Sequence, residues 1–383
     1  MKLAVIGAGY MADIIIKRAK SMGITTYCFA WEKGAVAKAS ADYFYPVSVT
    51  EKEAIADYCR DIGVDGVVAA ASVSIPAAAY ACEQLGLPGN PLEVATNIRK
   101  KDYVRRKTRD IPGLAQVRYE VLSDIGEFEK GAWDYPIIIK PTDSGGKDGV
   151  IIADSAEDLE EAFRYAKNGH NNLIVESYIG GREYSVESLS YQGQHYVIQV
   201  TEKDNSGSPH FVELAHHQPA SLSDDIRARI ESVIGQILSA VGIQNGPCHT
   251  EIKINNGDIY LIEVNGRLGG DHISYPLTEL SSGYPYITGV IQAALGCLEP
   301  VVLDRTRKAF ASVFFVTKQT EYLKPLFDVC QDEDWCYEKH KASDELVLLQ
   351  QNNGFRINYF IYYSEKEPPV FIRDIKMHQE QVN

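Results

Sequence analysis

The first hundred residues alternate short apolar runs with amphipathic stretches. Lys2–Ile6, Thr25–Ala30, Tyr43–Val47 and Gly66–Ala71 are β-rich, and helical patterns cover Met11–Met22, Glu51–Ile62 and Ile75–Leu85. That alternation predicts a parallel, doubly wound α/β sheet of Rossmann type. The middle differs: Tyr135–Lys140, Gly149–Ile152 and Leu173–Glu176 read as strands around an amphipathic helix at Ala156–Ala166, a small α+β lobe. Longer β runs follow at Glu183–Tyr191, His195–Lys203 and Phe211–Gln218, then a helix over Ser223–Val241. Cys248–Ile254 and Ile259–Val264 flank Asn255-Asn256-Gly257-Asp258, and Asn-Gly between alternating runs predicts a hairpin. Further β runs are expected at Phe310–Val316, Glu345–Leu349 and Arg356–Tyr362, before a polar tail. The expected division is an N-terminal sheet domain (1–95), a linker helix (96–112), a small lobe (113–182), a large lobe (183–304) and a C-terminal lobe (305–383).

Composition narrows the function. Of 383 residues, 45% are hydrophobic and 23% charged, ordinary values for a globular chain. No run approaches the roughly 18–20 apolar residues of a membrane span, and the short apolar N-terminus reads as a first strand. The net charge of −14 and the lack of basic tracts interleaved with aromatics argue against nucleic acid. The dense basic run Arg99–Lys107 reads equally as a solvated helix face or as part of a site. Seven widely spaced cysteines without Cys-x-x-Cys suit a reducing compartment, and a cytoplasmic location is expected.

Four segments carry candidate chemistry. Gly7-Ala8-Gly9-Tyr10-Met11-Ala12, with Glu32 ending the second strand, fits a dinucleotide fingerprint, although the glycines equally suit a tight strand-to-helix turn. Lys140 ends a buried strand before a glycine-rich hairpin, Ser144-Gly145-Gly146-Lys147-Asp148-Gly149, whose bare amides suit phosphate oxygens. Glu176 ends another strand; the linker Ser177-Tyr178-Ile179 and then Glu183 could serve an adenine and its ribose. In the fourth segment, pairing about the Asn-Gly turn puts Glu251 opposite Glu263, give or take one residue. Period two puts Glu263 with Asn265, and His249 with Glu251, on one face. Two carboxylates and an amide oxygen are hard ligands suited to Mg²⁺, and Arg267 follows at once.

Taken in this order, the segments resemble the ATP-grasp superfamily over roughly residues 1 to 300, most specifically in Glu251 and Glu263-Val264-Asn265-Gly266-Arg267-Leu268-Gly269-Gly270. The resemblance implies a mixed α/β and α+β ATP-grasp fold with a Rossmann-like pre-grasp domain. Lys101 and Lys140 match the nucleotide lysines, Ser144, Gly145, Gly146 and Gly149 the phosphate-covering loop, and Glu176, Ser177, Tyr178 and Ile179 the adenine hinge. Glu183 matches the ribose acid, and Glu251, Glu263 and Asn265 the ligands of magnesium, or of manganese in its place. Arg267, with Lys140, matches the catalytic cations.

Gly246-Pro247-Cys248-His249-Thr250-Glu251 and Arg267-Leu268-Gly269-Gly270-Asp271 look most like the L-amino-acid ligase branch of carboxylate–amine ligases. Biotin carboxylases carry Gln-Val-Glu after the arginine, and D-alanine ligases lack the Arg-Leu-Gly-Gly run. The implied reaction passes through an acyl-phosphate and joins a small carboxylate to an amine, with release of ADP and phosphate. A bicarbonate-using carboxylase is the alternative, and a homodimer is compatible with either. Gly269, Gly270, Asp271 and His249 are the substrate candidates. The general base stays open among His249, His217 and Asp271, and Ser144–Lys147 is expected to act as a lid.

Overall fold

The computed structural model describes residues 1–143, 149–207, 211–349 and 357–369. Its seventeen strands form three sheets. β1 (Lys2–Ile6), β2 (Thr25–Phe29), β3 (Tyr43–Tyr45) and β4 (Gly66–Ala69) make a parallel sheet in the order β3-β2-β1-β4. Helix Tyr10–Ser21 connects β1 to β2, helix Lys52–Ile62 connects β3 to β4, and helix Ile75–Leu85 follows β4, as the alternating pattern predicts. After β5 (Leu114–Ala115), strands β6 (Tyr119–Leu122), β7 (Ile137–Pro141), β8 (Ile151–Ala153) and β9 (Leu173–Ser177) form a small antiparallel sheet, β6-β9-β7-β8. Its own core includes Phe128, Trp133, Ile137, Phe163 and Val175.

The third sheet has nine strands. β10 (Arg182–Tyr191), β11 (Gln194–Asn205), β12 (Glu213–Gln218), β13 (Gly246–Asn255), β14 (Asp258–Asn265), β15 (Phe310–Val316), β16 (Cys336–His340) and β17 (Asn358–Ser364) join β5 in the order β16-β17-β15-β12-β11-β10-β13-β14-β5. Helix Asp224–Val241 packs its Ile230, Val233, Ile234, Ile237 and Leu238 into this sheet's core, and the Ser223 hydroxyl caps it by accepting from Ile226 N.

Several expected boundaries move. The linker at 96–112 is two short helices, Leu92–Asn97 and Lys101–Thr108, and the second turns Lys101 and Arg105 inward while Arg106 stays outside. The basic run is therefore only half a solvated face. β5 pairs with β14, so Leu114–Ala115 belong to the large sheet and not to the small lobe. The C-terminal segment is no separate lobe by its sheet, because β15 pairs with β12 and continues the large sheet. Cys336–His340 is an unforeseen strand, whereas Glu345–Leu349 is not a strand: both edges of β17 are already taken, by β15 and β16. Arg356, expected to open the last strand, lies outside the described residues, as do Ser144, Gly145, Gly146 and Lys147 of the expected lid and the end of the tail.

The N-terminal domain does not close its core alone. Leu3, Val5, Ile15 and Phe29 share one apolar cluster with Leu189, Ile198, Tyr286, Ile287, Val290 and Ile291. Gly66 permits the close approach, since a methyl group there would meet the Ala294 carbonyl oxygen at 2.5 Å. Arg18 adds a fork onto Glu279 (2.8 and 3.2 Å) and a bond to Thr288 (2.9 Å).

Tyr286 sits in that shared core, fully buried, and donates its hydroxyl to the Ser188 carbonyl at 2.8 Å. Tyr286→Phe is expected to lower unfolding free energy by about 1–2 kcal/mol. Tyr286→Ala should cost about 3–5 kcal/mol, read from the urea midpoint.

Candidate active site

One face of the large sheet carries a polar patch set by strand register. Glu183, Ser185 and Glu187 on β10 stand opposite Lys253, Glu251 and His249 on β13. On β14, Glu263 faces Glu251 and Asn265 faces His249. That alignment depends on a β-bulge. From the turn at Asn256 (φ 52°) and Gly257 (φ 86°), plain pairing matches Ile252 with Leu261 and would put Ile262 opposite Glu251. The register shifts by one between Glu251 and Ile252, which brings Glu263 onto the face of Glu251.

Cations compensate this patch. Lys203 on β11 is buried and touches Glu183 (2.8 Å), Glu213 (3.0 Å) and Glu251 (3.4 Å). Burial opposes its charge, yet the three carboxylates hold its pKa well above the ordinary lysine value. His249 is gripped through Nδ1 by Glu187 and through Nε2 by Glu251 at 3.3 Å. Burial again disfavours the charge, but Glu187 and Glu251 win and raise the imidazolium pKa to about 9. Glu187, wholly buried, also accepts from Ser274 and from Gly269 N (3.3 Å).

The small sheet supplies the opposite pole. Glu176 is buried between Lys140 (2.6 Å) and Arg105 (2.8 and 3.2 Å). Burial raises its pKa, but the two cations outweigh it and bring the carboxyl down to about 2. The Glu176 carboxylate is thus committed to Lys140 and Arg105, and the adenine hinge expected at Glu176–Ile179 begins directly at this ion pair. What remains for a ligand there is the backbone after it. Lys253 steadies that linker, bonding Ile179 O at 2.9 Å with its ammonium 5.0 Å from the Tyr178 ring. Ser177 N bonds Arg118 O at 3.0 Å.

Lys101 links the poles. It donates to Pro141 O at 3.1 Å, and its pKa is lowered first by burial, with Glu263 raising it, Lys140 lowering it and Glu176 raising it. Beside the acids, Arg267 donates to Ser72 Oγ and Leu268 O, each at 2.6 Å, so the N-terminal domain orients this arginine. Gly269 is sterically required: a methyl there would lie 2.6 Å from His249 Nδ1 and 2.9 Å from Glu187 Oε1. Gly270 faces open space, and Asp271 adopts left-handed φ 49°. Gly149 (φ 69°) lets its hairpin close on Pro141. His217, by contrast, is held on β12 by Ser312 (2.9 Å) and Asp204 (3.3 Å). Ser144, Gly145 and Gly146 fall outside the described residues.

Sequence reasoning overlooked Arg105, Lys203 and Glu187. Arg105 stood in a basic run, Lys203 among the polar residues Thr201-Glu202-Lys203-Asp204, and Glu187 between Val186 and Ser188. A charged residue at an inward position of a central strand was the signal available.

Two outcomes are expected. Glu176→Gln should destabilise by about 3–5 kcal/mol, since it strips two buried cations of their counter-charge. In the parent protein this contribution is complete above the ordinary carboxyl value of 4.5 and should be lost as pH falls towards about 2, measured by acid unfolding of both proteins. Gly269→Ala should push His249 off Glu187 and bring its NMR-titrated pKa from about 9 back towards 6.5.

A family model described as the ATP-grasp domain matches residues 133–275, and one described as the ATP-grasp N-terminal domain matches residues 16–89. Dapdiamide A synthase of Enterobacter agglomerans is 23% identical over 211 residues, 51% of this chain and 49% of that protein. Alanine–anticapsin ligase of Bacillus subtilis is 24% identical over 273 residues, 61% and 57% of the two. The chain thus spans about half the length of the curated relatives it matches. The L-amino acid ligase from Bacillus licheniformis superimposes with a TM-score of 0.78 at 22% identity, covering 98% of this chain and 96% of that one. N5-carboxyaminoimidazole synthetase from Staphylococcus aureus, complexed with ADP, gives 0.76 at 15% identity, covering 99% and 96%. At these identities the structural likeness speaks for the fold. With family matches over both the N-terminal sheet and the two sheets that carry the charged poles, the chain belongs to the ATP-grasp family.

Proposed function

We propose that this chain is an ADP-forming carboxylate–amine ligase whose carboxylate substrate is an amino acid. The observation that carries this reading is the position of Lys101, in the field of Glu263 on one sheet and of Lys140 and Glu176 on the other. A triphosphate laid between those poles meets lysines from one side and acids from the other. Support for the amino-acid substrate comes from relatives named as an alanine–anticapsin ligase and an L-amino acid ligase.

In the first step a substrate carboxylate oxygen attacks the γ-phosphorus of ATP, and ADP leaves. In the second an amine nitrogen attacks the acyl carbon of the acyl-phosphate, loses a proton, and phosphate leaves. The protein's part is positioning and charge neutralisation. Lys140 and Lys101 would meet the phosphates, Ser177–Ile179 the adenine by backbone groups, and Glu183 the ribose. The guanidinium of Arg267 would offset charge on the acyl-phosphate and its tetrahedral adduct. Glu251, Glu263 and Asn265 fit a magnesium ion, or manganese, because they gather hard oxygens on one sheet face; the ion would neutralise triphosphate oxygens there. Among the described residues no group of three or more His, Cys, Asp or Glu offers another such place. The set opposite Glu251 also explains Lys203 and His249, which keep that carboxylate compensated without a ligand. No helix of the described residues is long and apolar enough to cross a membrane.

The test is a coupled assay of ADP release across pairs of amino acids and amines, with a thermal shift alongside. Mg-ATP should raise the melting temperature and NAD should not. ADP and phosphate should form only with a carboxylate substrate present, without need of bicarbonate or biotin. Arg267→Ala should lower turnover on the order of 10²-fold or more, with nucleotide affinity much less affected. ADP release driven by bicarbonate alone, with no amino acid active, would replace this reading by the carboxylase one.

A further inference from the structure

His272 is buried on the loop that follows Arg267. It is 3% exposed, yet no described residue hydrogen-bonds either ring nitrogen. Burial first, and then His340, lower its pKa to about 4, so at neutral pH the ring is an uncharged imidazole with one donor and one acceptor unmet. Its backbone is strained as well. Asp271 (φ 49°) and His272 (φ 66°) are consecutive left-handed residues, neither of them glycine, directly after Gly269-Gly270. Unmet buried polar atoms and strained backbone in one place single this position out as a candidate binding site.

The surroundings indicate which ligand. The His272 ring lies 4.2 Å from that of Tyr359 and 5.8 Å from that of Tyr10, edge-on at 67°. Tyr10 begins the helix after the Gly7–Gly9 turn, so the N-terminal sheet, the loop after Arg267 and the C-terminal strands meet here. Glu338 accepts from the Tyr359 hydroxyl at 2.6 Å and has no Lys, Arg or His partner among the described residues. Its charge is felt by Tyr10, whose pKa is raised first by burial and next by Glu338, and by Tyr337, after burial and Tyr275. Tyr337 is exposed and Tyr275 half-buried, so this side-chain cluster reaches the surface on that side. A carboxylate without a counter-cation, tyrosine faces and a neutral imidazole acceptor together are complementary to a cation that brings its own N–H donors.

We propose that Glu338, His272, Tyr10 and Tyr359 form a recess that binds a primary ammonium group of the substrate. The ammonium donates to Glu338 and to a His272 ring nitrogen and lies against the tyrosine rings. The assignment of this ammonium to a substrate rests on the ligase reading; the recess itself does not. An α-ammonium and a side-chain ammonium share this chemistry, and the probes below separate them.

The full-length protein, labelled with ¹⁵N-histidine and without nucleotide, is titrated with n-butylammonium and with n-butanol as the neutral isostere. Butylammonium should shift the His272 ring nitrogens saturably, and butanol should not. L-Lysine, L-norleucine and hexanoate follow. Binding of lysine alone assigns a side-chain ammonium, binding of lysine and norleucine assigns an α-ammonium, and hexanoate should fail in both cases. Glu338→Gln should weaken the ammonium probes about tenfold or more while leaving the melting temperature within a degree or so of the parent. Equal shifts with butanol, no shift with any probe (ordered water alone on the ring), or unchanged affinity in Glu338→Gln would each overturn the proposal. Amino-acid-dependent ADP release without ammonium binding would sink the recess and leave the ligase standing. Ammonium binding without such release would do the reverse.

Discussion

Charge buried in a protein needs its opposite beside it, and the cleft of this chain is built almost wholly from buried charge. Glu176, Lys140, Arg105 and Lys101 sit under the small sheet; Lys203, Glu183, Glu213, Glu187 and His249 sit on the large one. The pairing holds long side chains in one geometry before any ligand arrives, which is the preorganisation that charge-stabilising catalysis requires. The acids of the large sheet stand close together with part of their charge compensated, since Lys203 and His249 both touch Glu251.

The same constraint joins the parts of the molecule. Arg105 reaches from a short helix to Glu176 on the small sheet and to Leu261 O on the large one, at 2.7 Å, so a single guanidinium spans the two. Arg267 is aimed by Ser72 of the N-terminal domain, and Arg18 ties that domain to Glu279. The apolar core follows suit, since Tyr286 and its helix fill space on both sides of the domain boundary. The N-terminal sheet therefore packs against the candidate site as much as it forms a module of its own.

Steric limits complete the site. Gly269 leaves no room for a side chain against His249 and Glu187, whereas the adjoining Gly270 is open to solvent or substrate. The loop then runs through two left-handed residues into the aromatic recess at His272. Within a few residues the chain passes from groups fixed by close packing to the His272 ring, whose nitrogens have no hydrogen-bond partner among the described residues.

Periodicity and turn chemistry are local, and they made most of the fold legible in the sequence: the parallel N-terminal sheet, the small lobe, the Asn256-Gly257 hairpin and the long helix after Ser223. The order of charged segments carried the family and most of the candidate cleft, because lysines at strand ends and acids inside apolar strands are unusual enough to stand out. The rest depended on partners distant in sequence. Plain pairing from the turn would have left Glu263 on the wrong face, and only the bulge opposite Ile252 and Glu251 put it beside Glu251. Whether Arg105 or Arg106 turned inward depended on a carboxylate 71 residues away. Glu345–Leu349 had the pattern of a strand but pairs with none, and the edge of β17 beside it is taken by Cys336–His340. The sequence by itself determined which segments would be helix, strand and turn and which residues carried charge. Tertiary structure decided which charges met, because an ion pair, a sheet edge and a register shift belong to two segments at once.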